Sequence, residues 1–332
     1  MIDLDVMKNL YASAVEFQKL NPWHFIPEED IFGIQNPWTS EFAYCTIMGG
    51  MAEHFALAVY LNGQGLRSLF SIKEAIVNDV DAYVSQYCLM LSFEDRSFLS
   101  KPDLDLIKSL ALKFRGKKNY PMFRFHNPGY DPEPLDKDQA KFLLLVLDKA
   151  IDVITSGNLV SQSFAGKDAK IPVYYSKLKN GEADWSLKYQ ELILPAQEVK
   201  VFEIDDFTVQ RIRKLSKQSN ATWLLDYFYF MATIKEPGKR AYYPRAVMIA
   251  DEKTGMVLGL ELFQNEVYSP CFQTFLKSFE AHSVRPKVIC VRREDVYHSL
   301  SVVCDKLKIQ LKLVEDLSLL DQIKSHVEQY GS

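Results

Sequence analysis

Apolar residues near the start of the chain recur at helical spacing. Leu10, Ala14, Phe17 and Leu20 fall on one face and predict an amphipathic helix from about Leu4 to Leu20. Two Asn-Pro-Trp tripeptides follow, at Asn21–Trp23 and Asn36–Trp38. Proline keeps each preceding Asn out of the helical region, so both read as turns that project a tryptophan. Tyr44–Met48 and Phe55–Leu61 then form the arms of a hairpin, with Gly49-Gly50 near its turn. A helix through about Val84, a strand at Tyr87–Phe93, a helix near Leu104–Phe114 and a short strand at Met122–Phe125 complete the pattern up to a proline-rich loop, His126–Pro134. Asp136 caps a long helix, Lys137–Ile154.

The small, polar run Thr155–Lys170 reads as a connection, and Asn180-Gly181 as the turn of a second hairpin, Ile171–Lys177 with Trp185–Leu194. Beyond it the pattern is cleaner. A strand at Val199–Ile204 leads into a helix capped by Asp205 or Asp206. Three strand-like runs follow, Thr222–Ile234, Arg245–Ala250 and Met256–Phe263, and then a helix at about Pro270–Ala281. Strand Lys287–Val291, helix Glu294–Leu307, strand Ile309–Val314 and helix Leu317–Gln329 close the chain. From Thr222 the order is β-β-β-α-β-α-β-α. A three-stranded meander with two right-handed crossovers gives a mixed five-stranded sheet covered by helices. The expected organisation is an N-terminal α+β domain over residues 1–165, a linker and hairpin over 166–198, and an α/β domain over 199–332. The weaker hairpin-helix-strand order of the first half raises a degenerate repeat of the second as one option.

Composition changes this picture little. The 332 residues are 48% hydrophobic and 25% charged, ordinary for folded domains. The net charge of −4 excludes a whole-protein basic footprint, although the part from Val199 onward carries about +2. Five widely spaced cysteines argue against a disulfide framework and for reduced, buried thiols. No secretory signal is visible and no apolar run spans a bilayer, so the expectation is a cytoplasmic protein with no membrane partner.

Within Thr222–Val314 the chain resembles the catalytic core of retroviral-type integrases and transposases, which have a ribonuclease-H-like fold. The resemblance rests on Trp223-Leu224-Leu225-Asp226-Tyr227, on Val247-Met248-Ile249-Ala250-Asp251 with Thr254-Gly255-Met256-Val257-Leu258-Gly259, and on Arg285-Pro286-Lys287-Val288-Ile289-Cys290-Val291. In the family, carboxylates on the first strand, at the end of the fourth and on the last helix hold two Mg²⁺ or Mn²⁺ ions for phosphodiester chemistry. Asp226 matches the first place, whereas the second holds Arg292-Arg293, with Glu294 and Asp295 just beyond. Glu328 stands for the third. A cation at the metal centre repels the ions. The chain is also similar to uncharacterised bacterial two-domain proteins of unknown function.

Each candidate has a plainer reading. Asp226 is either a metal ligand, a solvent-side residue, or a carboxylate paired with Arg245 or Arg292. Asp251 is a turn residue. Arg292 and Arg293, at the carboxyl end of a strand, form a candidate anion site or a solvated loop. Trp23 and Trp38 line a ligand groove or cover a core edge. The six histidines and Cys290 and Cys304 lack metal-ligand spacing. The leading expectation is a binding or interaction protein on a ribonuclease-H-like scaffold, without catalysis or cofactor, for a protein partner. Two alternatives stand beside it. One is a Mg²⁺- or Mn²⁺-dependent nuclease using Asp226, Glu294, Asp295 and Glu328, with nucleic acid bound at the C-terminal part. The other is a small-ligand binder at the aromatic N-terminal half.

Overall fold

A computed structural model of the chain describes residues 3–51, 54–73, 79–157, 170–196, 199–264 and 269–330. The chain divides into two compact units. One comprises Met1–Pro128 with Pro132–Pro195, the other Gly129–Asp131 with Ala196–Ser332. Both are mixed α/β structures.

The first unit begins with helix α1 (Leu4–Leu20). Asp3 caps it by accepting the Val6 N–H, and Met7, Leu10, Tyr11, Ala14 and Phe17 are buried along one face. Strands β1 (Phe32–Gln35), β2 (Phe42–Met48) and β3 (Ala56–Leu61) follow. Next come helices α2 (Asn62–Lys73) and α3 (Asp79–Val84), strand β4 (Cys88–Glu94), helix α4 (Lys101–Ser109) and strand β5 (Tyr120–His126). Helix α5 (Lys137–Thr155) starts at a capping box in which Asp136 and Gln139 satisfy each other's backbone N–H groups. Strands β6 (Lys170–Lys179) and β7 (Glu182–Glu191) complete the unit.

These seven strands form one sheet in the order β5-β4-β3-β2-β1-β6-β7, antiparallel except where β1 meets β6. The hairpin that the sequence placed between the domains is therefore the outer part of this sheet. Gly33 permits the junction, since a methyl group there would sit 2.9 Å from the Val173 side chain. The sheet buries Leu57, Val59, Leu89 and Leu91 in one core with residues of α1 and α5, and Ala56, Ala58, Cys88, Ile171 and Val173 in another. Its order does not repeat that of the second unit.

In the second unit, helix α6 (Asp206–Leu215) is capped by Asp205, whose carboxylate accepts the Thr208 N–H. The two-residue strand β8 (Lys217–Gln218) precedes β9 (Thr222–Tyr229), β10 (Arg245–Asp251) and β11 (Val257–Phe263). Helix α7 (Ser269–His282), strands β12 (Val284–Arg285) and β13 (Val288–Val291), helix α8 (Glu294–Leu307), strand β14 (Gln310–Leu313) and helix α9 (Ser318–Tyr330) follow. The sheet order is β11-β10-β9-β13-β14. β9 pairs antiparallel with β10 and parallel with β13, and β13 pairs parallel with β14.

As the central strand, β9 is buried on both faces. Trp223, Leu225 and Tyr227 pack with α7 and α8 residues such as Phe275, Phe279 and Leu300. Leu224 and Phe228 pack with Leu317 and Leu320 at α9. One expectation fails. Val199–Ile204, read as a strand, joins no sheet. Phe202 and Ile204 are buried, but the Phe202 N–H donates to the Ser299 carbonyl of α8 rather than to a neighbouring strand.

Candidate functional site

Asp226 lies in the middle of β9, on the face covered by α9, and is 5% exposed. Desolvating a carboxylate this far demands a partner. Arg292, the residue after β13, supplies it. β13 and β9 are parallel neighbours, so a side chain leaving the carboxyl end of β13 reaches the adjacent strand. Arg292 Nη2 donates to Asp226 Oδ2 at 2.7 Å.

The same guanidinium grips a second carboxylate, Asp321 in the first turn of α9. Nη2 donates to Oδ1 at 2.6 Å and Nη1 to Oδ2 at 3.1 Å. The forked geometry suits a planar guanidinium against a carboxylate. Arg292 Nε is buried and has no hydrogen-bond partner among the described residues. Burial draws the Arg292 pKa down, but the hydrogen bonds and charges of Asp321 and Asp226 outweigh it and hold the cation above its ordinary value.

Arg293 turns to the opposite face of the sheet. Its Nε and Nη2 donate to the two oxygens of Asp295 at 3.0 and 2.6 Å, and its guanidinium carbon lies 5.7 Å from the centre of the Tyr227 ring. Asp295 also accepts the Val296 N–H at the start of α8. Glu294 is exposed on the first turn of that helix. Arg245, the other partner weighed for Asp226, instead stacks 4.0 Å over Tyr229 and donates to its hydroxyl. Asp251 closes the β10–β11 turn by accepting from the Thr254 N–H and hydroxyl.

The candidate carboxylates are thus not gathered. Asp226 and Asp295 lie on opposite faces, each held by its own arginine. Glu328 falls in the last turn of α9, and its side chain lies outside the described residues. Asp321, seven residues earlier on the same helix, is the carboxylate that Arg292 joins to Asp226. The sequence reading missed it, and its signal was the i, i+7 relation to Glu328 on one helix face. Among the described residues no group of three His, Cys, Asp or Glu side chains is placed to hold a metal ion. With a guanidinium between Asp226 and Asp321, the residues present do not fit a two-metal centre.

Trp23 and Trp38 are separated in role. Trp23 is buried against Phe17, Phe55 and Phe93. Trp38 is exposed, with Lys141 Nζ 4.2 Å above its ring. Trp23 lines a cavity of about 570 Å³ to which Trp38 does not contribute. No described helix is long and apolar enough to cross a membrane.

Residues 8–171 match the family model of a domain of unknown function (DUF7309), and residues 208–328 match that of another domain of unknown function (DUF6930). No curated protein matches the chain. Among solved structures the chain is similar to the HTLV-2 integrase catalytic core domain in complex with magnesium, in its dimeric form. The identity is 15% and the TM-score 0.26, over 34% of this chain and 70% of that one. It is also similar to a chain of the simian T-cell lymphotropic virus intasome in complex with PP2A regulatory subunit B56 gamma. There the identity is 20% and the TM-score 0.27, over 35% of this chain and 44% of that one.

Proposed function

We propose that the second unit is a ribonuclease-H-like scaffold that serves as a binding or interaction module and does not cleave nucleic acid. The fold reading rests on the β11-β10-β9-β13-β14 order, in which an antiparallel meander is extended by two parallel strands. The functional reading rests on one observation, that Arg292 bridges Asp226 and Asp321. In the resembling enzymes the first strand, the end of the fourth strand and the last helix each give a carboxylate. Here the same three places give Asp, Arg and Asp.

The arrangement is self-neutralising. Two carboxylates around one guanidinium leave a net charge near −1, spent on internal hydrogen bonds rather than offered to ions. Such a triad ties β9, β13 and α9 together, a structural use of charge. A protein surface is the partner this reading favours.

The test is a nuclease assay on single- and double-stranded DNA and RNA with Mg²⁺ or Mn²⁺, using the wild type and Asp226→Asn. The reading expects no cleavage by either. Metal-dependent cleavage that Asp226→Asn abolishes would overturn it and favour a nuclease that opens the Arg292 bridge during turnover.

A further inference from the structure

The first unit carries a groove that the reading above does not use. Its walls come from the end of α1, the turn Pro22–His24 and the segment between α4 and β5. Lys19, Lys113, Arg115 and Lys117 line it, all exposed, and its walls include no Asp or Glu. None of these four cations makes an ion pair among the described residues. Half-buried Lys118 lines it as well, and the nearby carboxylate of Asp95 accepts the Lys118 backbone N–H at 2.7 Å. In a chain of net charge −4, cations gathered this closely repel one another and favour an anion that joins them.

The groove is built rather than loose. Gln18 Nε2 donates to the Lys118 carbonyl at 3.0 Å and to Asn119 Oδ1 at 2.9 Å, tying the basic segment to α1. Asn119 Nδ2 donates to the Arg115 carbonyl, and the Tyr120 hydroxyl to the Phe114 carbonyl. Gly116, at φ 97°, makes the turn that sets Arg115 and Lys117 on either side of it. The backbone that carries the cations is thereby fixed before a ligand arrives, which lowers part of the ordering cost of binding.

Aromatic rings share the same walls. Trp23 and Phe55 lie with ring centres 4.6 Å apart, Lys118 Nζ sits 5.1 Å over the Phe55 ring, and Phe114 also lines the groove. A volume of about 570 Å³ exceeds what one phosphate needs and suits a small organic ligand. Several cations with a ring-lined floor match a ligand that carries both phosphates and a planar base. An acidic peptide would use the cations and leave the rings without a planar partner.

We propose that this groove binds a nucleotide through its phosphates, either as a free nucleoside polyphosphate or as part of a single strand. The site does not depend on the Arg292 triad, so the two readings fail separately.

The experiment uses the full chain with ATP and with a fluorescent dodecathymidylate, beside tripolyphosphate and a polyglutamate peptide of similar charge. Binding is followed by calorimetry and anisotropy at 50 and 200 mM salt. ATP or the oligonucleotide should bind with a Kd below about 1 mM and more tightly than either ring-free probe. If ATP binds and the oligonucleotide binds no better, the ligand is a free nucleotide. If the oligonucleotide binds more tightly, it is a strand. Four phosphate contacts predict roughly 50-fold weaker oligonucleotide binding at the higher salt.

The variant Lys113→Glu/Arg115→Glu/Lys117→Glu, at exposed positions, should lose binding and keep the wild-type melt. Arg115→Ala and Lys117→Ala singly should each weaken it several-fold, and they carry the comparison if the triple variant melts early. No saturation by either nucleotide probe, unchanged affinity in the variants, or equal affinity for a ring-free probe would overturn the proposal.

Discussion

The guanidinium of Arg292 lies 2.7 Å from the carboxylate of Asp226, joining the end of β13 to the middle of the neighbouring strand β9. Asp226 is almost fully buried and Arg292 largely so. Removing the cation alone leaves a buried carboxylate that keeps the Tyr227 N–H bond but loses the Arg292 charge. Arg292→Met should therefore destabilise the second unit by about 3 kcal/mol or more. Asp321 is half exposed, and Asp321→Ala should cost less than about 1 kcal/mol. Urea unfolding of the full chain measures both. Equal, small losses would mean that the bridge contributes little.

A second buried pair sets an acid sensitivity in the first unit. Asp103 and Arg124 are each 13% exposed and meet at 2.6 Å. Burial pushes the Asp103 pKa up, but hydrogen bonds from Arg124 and Ser100 and the Arg124 charge bring it below its ordinary value. A carboxyl that binds its proton less readily when folded contributes stability above the unfolded pKa. It loses that contribution as pH falls through the lower folded value. Wild-type stability should fall on acidification below about pH 4. Asp103→Asn should be less stable at neutral pH and show a flatter acid limb. An unchanged acid limb in denaturation curves would contradict this assignment.

The β1–β6 junction depends on a missing side chain. A methyl group at Gly33 would meet Val173 Cγ2 at 2.9 Å and Cγ1 at 3.1 Å. Gly33→Ala should cost about 1–3 kcal/mol through overpacking. Adding Val173→Ala should recover part of the loss, because the clash is with that one side chain. A Gly33→Ala protein as stable as wild type in thermal melts would show that the strands part without penalty.

All five cysteines are free and buried. Burial raises the thiols of Cys271 and Cys304 to about 12 and pushes Cys45, Cys88 and Cys290 upward as well. Native protein at pH 8 should react negligibly with a thiol reagent and release five equivalents once unfolded. A thiol that reacts fast in the native state would place a cysteine in an electropositive, accessible setting instead.

The sequence made some of this legible and hid the rest for identifiable reasons. Periodic patterns record which side chains are buried: helical spacing located α1 and α5, while a continuous apolar run located β9 but was read on to Ile234, past its end at Tyr229. They do not record what the backbone bonds to. Val199–Ile204 alternates like a strand because Phe202 and Ile204 are buried, yet its N–H partner is a helix carbonyl. The same limit left the β6–β7 hairpin without a home, since its parallel seam to β1 joins residues about 140 apart in sequence. Asp226 and Arg292 were visible as polar residues in and after apolar runs. Asp321 was not, because choosing among acidic residues on the last helix requires the axial placement of α9. The basic groove was missed because Lys19 and the Lys113–Lys117 segment come together only through tertiary bonds to Gln18.

Under the proposed reading, Arg292 occupies the ground between Asp226 and Asp321 and leaves no room for a metal ion there. Calorimetric titration of Mn²⁺ into the full chain, beside Asp226→Asn, tests it most directly. The account predicts no saturable binding at millimolar Mn²⁺ for either protein. Tight binding to the wild type that Asp226→Asn removes would contradict it, because Asp226 would then leave Arg292 to coordinate the ion.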